Sequence, residues 1–320
     1  MSSHPGAPSA AEPLVPPTQP GGSAVQSNLV VEAAGTTHSG MIRESNEDSY
    51  AIVEGLGLFL LADGMGGRAA GEVASKMAVD TVRGFFDDPD STWPVAIGPP
   101  TERGGTIRYV DQALPLLVAG IQLANGRIFA AARRDREKRG MGTTFAAALA
   151  RDGFVAIAHV GDSRVYRFRD GQLDLLTRDH SLLNECLRLG HILPEDAAAF
   201  PLQHVITRAL GTEESVEVDT RIDEVANGDV LLLCSDGLSG SVESGEMAQI
   251  LATYRDLRDA AARLIARANE RGGPDNITCI LVRWTDTERA NADTEPPADT
   301  VPRPETAAAA ASQTKKDDSA

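Results

Sequence analysis

Four aspartates stand where a carboxylate does little for folding and much for cation chemistry. Phe59-Leu60-Leu61-Ala62 has the apolar character of a buried strand, and it runs into Asp63-Gly64-Met65-Gly66-Gly67. Leu231-Leu232-Leu233-Cys234 runs into Ser235-Asp236-Gly237, and the stretch 155–160 runs into Gly161-Asp162-Ser163. Pro274-Asp275-Asn276 leads into a fourth apolar run. Taken singly, each of these reads equally well as a turn. Together they read differently. Strands converging on one end of a sheet would gather the carboxylates, whose repulsion then calls for cations. Oxygen-only donors suit a hard divalent ion, Mg²⁺ or Mn²⁺, over zinc or copper. Gly64 suggests a sharp backbone turn after Asp63 and a carbonyl that no side chain obstructs. Upstream lies Met41-Ile42-Arg43-Glu44-Ser45-Asn46-Glu47-Asp48, which alone is a solvated polar turn. Beside the strand-end aspartates it offers Arg43 as a planar phosphate clamp, with Glu47 and Asp48 as two more carboxylates.

The elements that must hold these residues are mostly short strands. Apolar runs at 29–38, 49–55, 56–63, 142–177, 216–223, 229–237 and 276–284 carry β-type patterns. Arg151-Asp152-Gly153 and Arg169-Asp170-Gly171 read as hairpin turns within an antiparallel meander. Helical spacing fits 69–86, 112–136, 243–252 and 256–271, the last bounded by Asp256 and by Gly272-Gly273-Pro274. Strands in hairpins and helices in blocks imply an α+β fold. Residues 87–110 read as a loop insertion. The stretch from Asp179 to Gly211 fits either a mobile element or a packed helix.

The ends differ from the middle. Residues 1–28 and 286–320 hold ten of the 18 prolines and lack a hydrophobic pattern, so both are expected to be disordered tails around one domain at 29–285. The net charge of −16 argues against binding nucleic acid or an anionic membrane, which needs a positive surface. Cys186, Cys234 and Cys279 show no zinc-ligand or disulfide spacing, and the last two sit in strand-like runs as core residues. No signal sequence and no apolar stretch near 20 residues stands out, so a cytoplasmic protein is expected.

In order, Arg43 with Asn46-Glu47-Asp48, Asp63-Gly64-Met65-Gly66-Gly67, Gly142-Thr143-Thr144, Gly161-Asp162-Ser163-Arg164, Ser235-Asp236-Gly237 and Asp275-Asn276 form a set. That set resembles the motifs of the type-2C metal-dependent serine/threonine protein phosphatases, in the form of a bacterial-type member. The resemblance implies a four-layer αββα sandwich, two antiparallel β-sheets flanked by helix pairs. It implies two Mn²⁺ or Mg²⁺ ions bridged by Asp63, with Asp236 and Asp275 on one ion and the Gly64 carbonyl on the other. Glu47 and Asp48 would hold ion-bound waters or ligate weakly, Arg43 would orient the substrate phosphate, and Asp162 with Asp236 matches a third, looser ion of some relatives. The implied reaction is attack of a metal-activated water on phosphoserine or phosphothreonine in proteins. The implied setting is a monomer opposing a Ser/Thr kinase. Two alternatives are a regulatory phosphatase dedicated to one signalling partner and an inactive phosphoprotein-binding scaffold. Many eukaryotic relatives have histidine at the position of Met65, which leaves the general acid unassigned here. His159 and His180 are candidates, although a lone histidine beside a strand is more often structural.

Overall fold

The computed structural model describes residues 29–66, 70–87, 105–151 and 153–286. The expected tails, apart from residue 286, and most of the 87–110 insertion lie outside the described residues.

In the central strand β3 (Leu58–Met65), Phe59 and Leu61 face one core while Leu58, Leu60 and Ala62 face another. A strand covered on both sides needs no polar alternation, which explains the unbroken apolar run. One sheet is ordered β2 (Asp48–Val53), β3, β5 (Phe145–Arg151), β6 (Phe154–Val160) and β9 (Asp219–Glu224), with the two-residue β4 (Gly142–Thr143) on the end of β3. The other is ordered β1 (Leu29–His38), β11 (Ile277–Asp286), β10 (Val230–Cys234), β7 (Arg164–Arg169) and β8 (Gln172–Leu175). All these pairings are antiparallel.

Phe59, Leu61 and Ile157 meet Leu231, Leu233 and Trp284 between the sheets. The outer face of the first sheet is covered by α1 (Ala70–Asp87) and α2 (Gly105–Arg134), through Ala74, Val82, Leu117 and Ile121. The outer face of the second is covered by α4 (Asp236–Ser239), α5 (Ser244–Thr253) and α6 (Leu257–Glu270), through Leu238, Met247, Leu251 and Leu264. The four-layer αββα arrangement is therefore present. Cys234 and Cys279 are fully buried in the second outer core, and Cys186 is half-buried.

Three local expectations need correction. The hairpins β5–β6 and β7–β8 form where the turn signals predict, Asp170 and Gly171 both taking positive φ as a tight twisted turn requires. They do not form one meander. At Gly161 (φ +104°) the chain leaves one sheet for the other, and a Cβ there would sit 2.7 Å from the Thr144 side chain. Second, α2 begins at Gly105, so 105–110 is helix and not loop. Third, the helical span 112–134 contains a window of mean hydropathy 1.4 and has the length to cross a bilayer. Its buried positions recur as Ala113, Leu117, Ile121, Ala124, Ile128 and Ala132, the stripe of an amphipathic helix packed on a core.

Candidate active site

Both sheets deliver their acids to one end of the sandwich. Asp48 opens β2 and pairs with Asp63 near the end of β3. Asp162 follows β6, Asp236 begins α4 just beyond β10, and Asp275 stands two residues before β11. The sheets are tied together there. Asp48 Oδ2 accepts hydrogen bonds from Ser235 Oγ at 2.8 Å and Thr278 Oγ1 at 2.6 Å, both from the opposite sheet side. Its other oxygen, Oδ1, is buried without a partner among the described residues, as are Asp162 Oδ1 and Asp236 Oδ1.

Burial pushes the Asp63 carboxyl well above its usual range, and the charges of Asp48, Asp236, Asp162 and Asp275 push it further. Burial likewise pushes Asp48 and Asp162 up to about 7. Asp236 is raised by burial and then by Asp275, and Glu47 by burial against the opposing pull of Arg43. An uncompensated buried charge costs several kcal/mol, and aspartate has no apolar packing to offset it. Among the described residues the one guanidinium in contact with these acids is Arg43, whose Nη2 donates to Asp275 Oδ2 at 2.7 Å from an exposed position. Orphaned buried carboxylate oxygens facing so little positive charge are the donor set a hard divalent cation fits.

Several residues that shape this end had no role in the sequence reading. The Asn276 amide donates to Ser39 O at 3.0 Å and Ser45 O at 2.8 Å, and its Oδ1 accepts from Glu47 N at 2.7 Å. It therefore fixes the loop that carries Arg43, Glu47 and Asp48. Thr143 Oγ1 and Thr144 N both donate to Asp63 O, at 2.8 and 2.9 Å, while Asp63 N donates to Thr144 Oγ1 at 3.1 Å. The available signal was polar residues buried at strand ends within the quoted motifs. Gly64 is extended within β3 and makes no sharp turn. A side chain is excluded there because a Cβ would lie 2.2 Å from Gly71 O and 2.5 Å from Glu47 O.

The histidines considered as proton donors lie elsewhere. His159 and His180 stack with ring centroids 4.8 Å apart, and with Asp219 their ligand atoms are close enough to hold a metal. The hydrogen bonds argue otherwise. His159 Nε2–H donates to Arg178 O at 2.9 Å, and His180 Nδ1 accepts from Gly161 N at 3.0 Å, which puts its proton on Nε2 facing Asp219. Arg208 already pairs with Asp219 at 2.7 Å. Burial holds both rings uncharged, His180 down to about 4. They are structural. Met65 is half-buried and packs near Gly142, and it has no proton to give. His204, unnoticed in the sequence, lies exposed on the segment 179–211, and its charge favours ionised Asp236. That segment holds the short helix α3 (Leu182–Arg188), which buries no side chain, and Leu189, Leu193, Leu202 and Val205 are exposed.

A family profile described as Protein phosphatase 2C matches residues 34–282. The chain belongs to the protein phosphatase 2C family. It is 40% identical over 249 residues to the serine/threonine phosphatase stp of Listeria innocua, spanning 77% of this chain and 93% of that one. It is similar to the crystal structure of the Mycobacterium tuberculosis serine/threonine phosphatase PstP/Ppp, with a TM-score of 0.69, 34% identity, and 80% and 99% of the two chains covered. A catalytic domain of PstP in complex with two manganese ions matches with a TM-score of 0.67, 34% identity, and 81% and 100% covered. The 2C fold thus brings its acidic motifs to one place from two sheets, and in this member each motif acid named above reaches that place.

Proposed function

We propose that this 2C-family chain is a metal-dependent phosphatase that hydrolyses phosphoserine and phosphothreonine in proteins. The observation that carries this reading is the set of buried carboxylates with orphaned oxygens beside Arg43. The PstP catalytic domain holding two manganese ions supports it. Asp63 would bridge two Mn²⁺ or Mg²⁺ ions, Asp236 and Asp275 would complete one set of donors, and the Gly64 carbonyl would serve the other. Glu47 and Asp48 would act from outside, and Asp162 with Asp236 would take a third, weaker ion. Such ions supply a water of lowered pKa and offset charge on the phosphoryl oxygens.

The chain's own residues do the rest. Asp48, clamped by Ser235 and Thr278, holds the two sheet ends at a fixed separation. Asn276 holds the Arg43 loop against them. Arg43 uses one nitrogen on Asp275, and its planar fork orients a phosphate beside it. The reading extends to a cytoplasmic monomer that opposes a Ser/Thr kinase. A regulatory phosphatase with one dedicated partner would use the same site. An inactive scaffold is disfavoured because Asp63, Asp236 and Asp275 are all present and act on one another electrostatically.

The test is turnover of a phosphothreonine peptide. Activity should vanish in EDTA and return with Mn²⁺ or Mg²⁺; full turnover by metal-free protein would overturn the reading. Arg43→Ala should lower kcat/KM by roughly 10- to 100-fold, the loss of a charge-assisted hydrogen bond, mainly through KM. Arg43→Lys should recover only part, since an ammonium lacks the planar fork. An unchanged kcat/KM in Arg43→Ala would remove Arg43 from the site.

A further inference from the structure

Residues 127–139 reverse the sign of the molecule. They carry Arg127, Arg133, Arg134, Arg136, Lys138 and Arg139 against only Asp135 and Glu137, in a chain of net charge −16. The fold uses little of this charge. Arg133 lies 5.5 Å over the Phe129 ring, Lys138 pairs with Asp135 at 3.2 Å, and Arg127 reaches the Thr81 hydroxyl at 3.4 Å. Arg134, Arg136 and Arg139 are exposed and have no carboxylate partner among the described residues. Like charges this close repel, so stability does not account for them.

The patch abuts the active site. After α2 the chain turns through Arg136–Lys138, Met141 N donates to Lys138 O at 3.1 Å, and the chain enters β4 alongside Gly64 and Met65. A Cβ on Gly66 would stand 3.0 Å from Met141 Cα and 3.5 Å from Gly140 O, so the basic turn packs against the loop that leaves Asp63. Thr144 N donates to Asp63 O at 2.9 Å. Arg139 precedes Thr144 by five residues, and a chain spans at most about 3.6 Å per residue, so Arg139 lies within roughly 20 Å of Asp63. Beside the patch an open groove of about 830 Å³ runs between α1 and α2, lined by Met77, Thr81, Leu123 and Ala131.

We propose that this basic surface docks an acidic or additionally phosphorylated stretch of the protein substrate, and so selects among phosphoproteins. The proposal rests on the phosphatase reading above. A phosphorylated residue carries about −1.5 to −2 charges and must approach an acidic protein whose site is itself built from carboxylates. A cluster of unpaired arginines next to that site offsets the repulsion locally and binds carboxylate or phosphate through paired N–H groups. Extended substrate advances about 3.3 Å per residue, so the selected charges lie within about six residues of the scissile phosphate.

The experiment uses the full chain with Mn²⁺ and four substrates: p-nitrophenyl phosphate, a phosphothreonine peptide with neutral flanks, the same peptide with flanking glutamates, and the same peptide with a second phosphothreonine. The two charged peptides distinguish carboxylate from phosphate recognition. The parent should prefer at least one of them over the neutral peptide by about tenfold in kcat/KM, through KM, and high salt should erase the preference. The double variant Arg136→Glu/Arg139→Glu should lose that preference while turning over p-nitrophenyl phosphate and the neutral peptide within about twofold of the parent. No preference in the parent, or the same preference in the variant, overturns the proposal. A preference that emerges only on deleting residues 287–320 also overturns it, assigning the patch to the chain's own tail. Loss of binding to anionic phospholipid vesicles in a variant that keeps its peptide preference overturns it in favour of a membrane. Failure of the parent to hydrolyse even p-nitrophenyl phosphate would instead refute the phosphatase reading on which it rests.

Discussion

Asp63→Asn is expected to lose metal binding and to lower phosphopeptide turnover by more than about 100-fold, beyond the loss typical of a residue that only supports a metal ligand. The expectation follows from position. Asp63 feels the charges of Asp48, Asp236, Asp162 and Asp275, so it lies among all of them. An asparagine keeps the shape and one oxygen acceptor but removes the charge that two cations would share under the proposed bridging role. The backbone should be spared, because Thr143 and Thr144 hold Asp63 through its main-chain N and O. Calorimetric titration with Mn²⁺ separates this from misfolding, for the variant should melt cooperatively and show no binding of two ions. Asp162→Ala is the contrast. Asp162 lies at the edge of the group, raised by burial and by Asp236 and Asp179, and its removal should leave the tight binding intact. If Asp63→Asn binds two ions with parental affinity, the bridging role belongs to another residue.

Much of the site was legible because catalysis and folding make opposite demands at the same positions. An apolar run such as 58–62 asks for another apolar residue, and an aspartate there stands out. The α+β class was legible for a related reason: strands came as apolar runs in hairpins and helices in blocks such as 244–253 and 257–270, whereas the four-layer αββα arrangement was implied by the family resemblance alone. The residues that were missed act through geometry that no spacing reveals. Asn276 bonds to Ser39 and Ser45, more than 200 residues away along the chain. Ser235 and Thr278 meet Asp48 only once two sheets have packed. The single meander expected over 142–177 failed because a hairpin signal fixes two strands and says nothing about which sheet takes the next pair. The start of α2 was misplaced because Pro99-Pro100 and Gly104-Gly105 stand at its entry, and their turn-like composition masked the first turns of the helix.

The stabilisation that Mn²⁺ gives the protein should grow as pH rises from about 5 to about 7.5. Burial holds the Asp48 and Asp162 carboxyls near 7, whereas an unfolded chain releases those protons near 4. Between these values the metal-free native state binds more protons than the unfolded state, so its stability falls with rising pH. His159 and His180 act in the opposite direction. Their pKa values are depressed by burial, so the unfolded chain binds more protons below about 6.5 and stability there rises with pH. The melting curve of the metal-free protein alone therefore mixes two trends. The difference between metal-loaded and metal-free protein does not, because the histidines are common to both. Cations compete with protons for the carboxylates, and each displaced proton contributes about 1.4 kcal/mol per pH unit. Two such protons over about two units amount to roughly 5 kcal/mol, or a widening of the Tm gap on the order of 10 °C for a domain of this size. Scanning calorimetry in EDTA and in saturating Mn²⁺ across this range reads the gap directly. A gap that stays constant or narrows with rising pH would show that cation binding displaces no protons from Asp48 and Asp162.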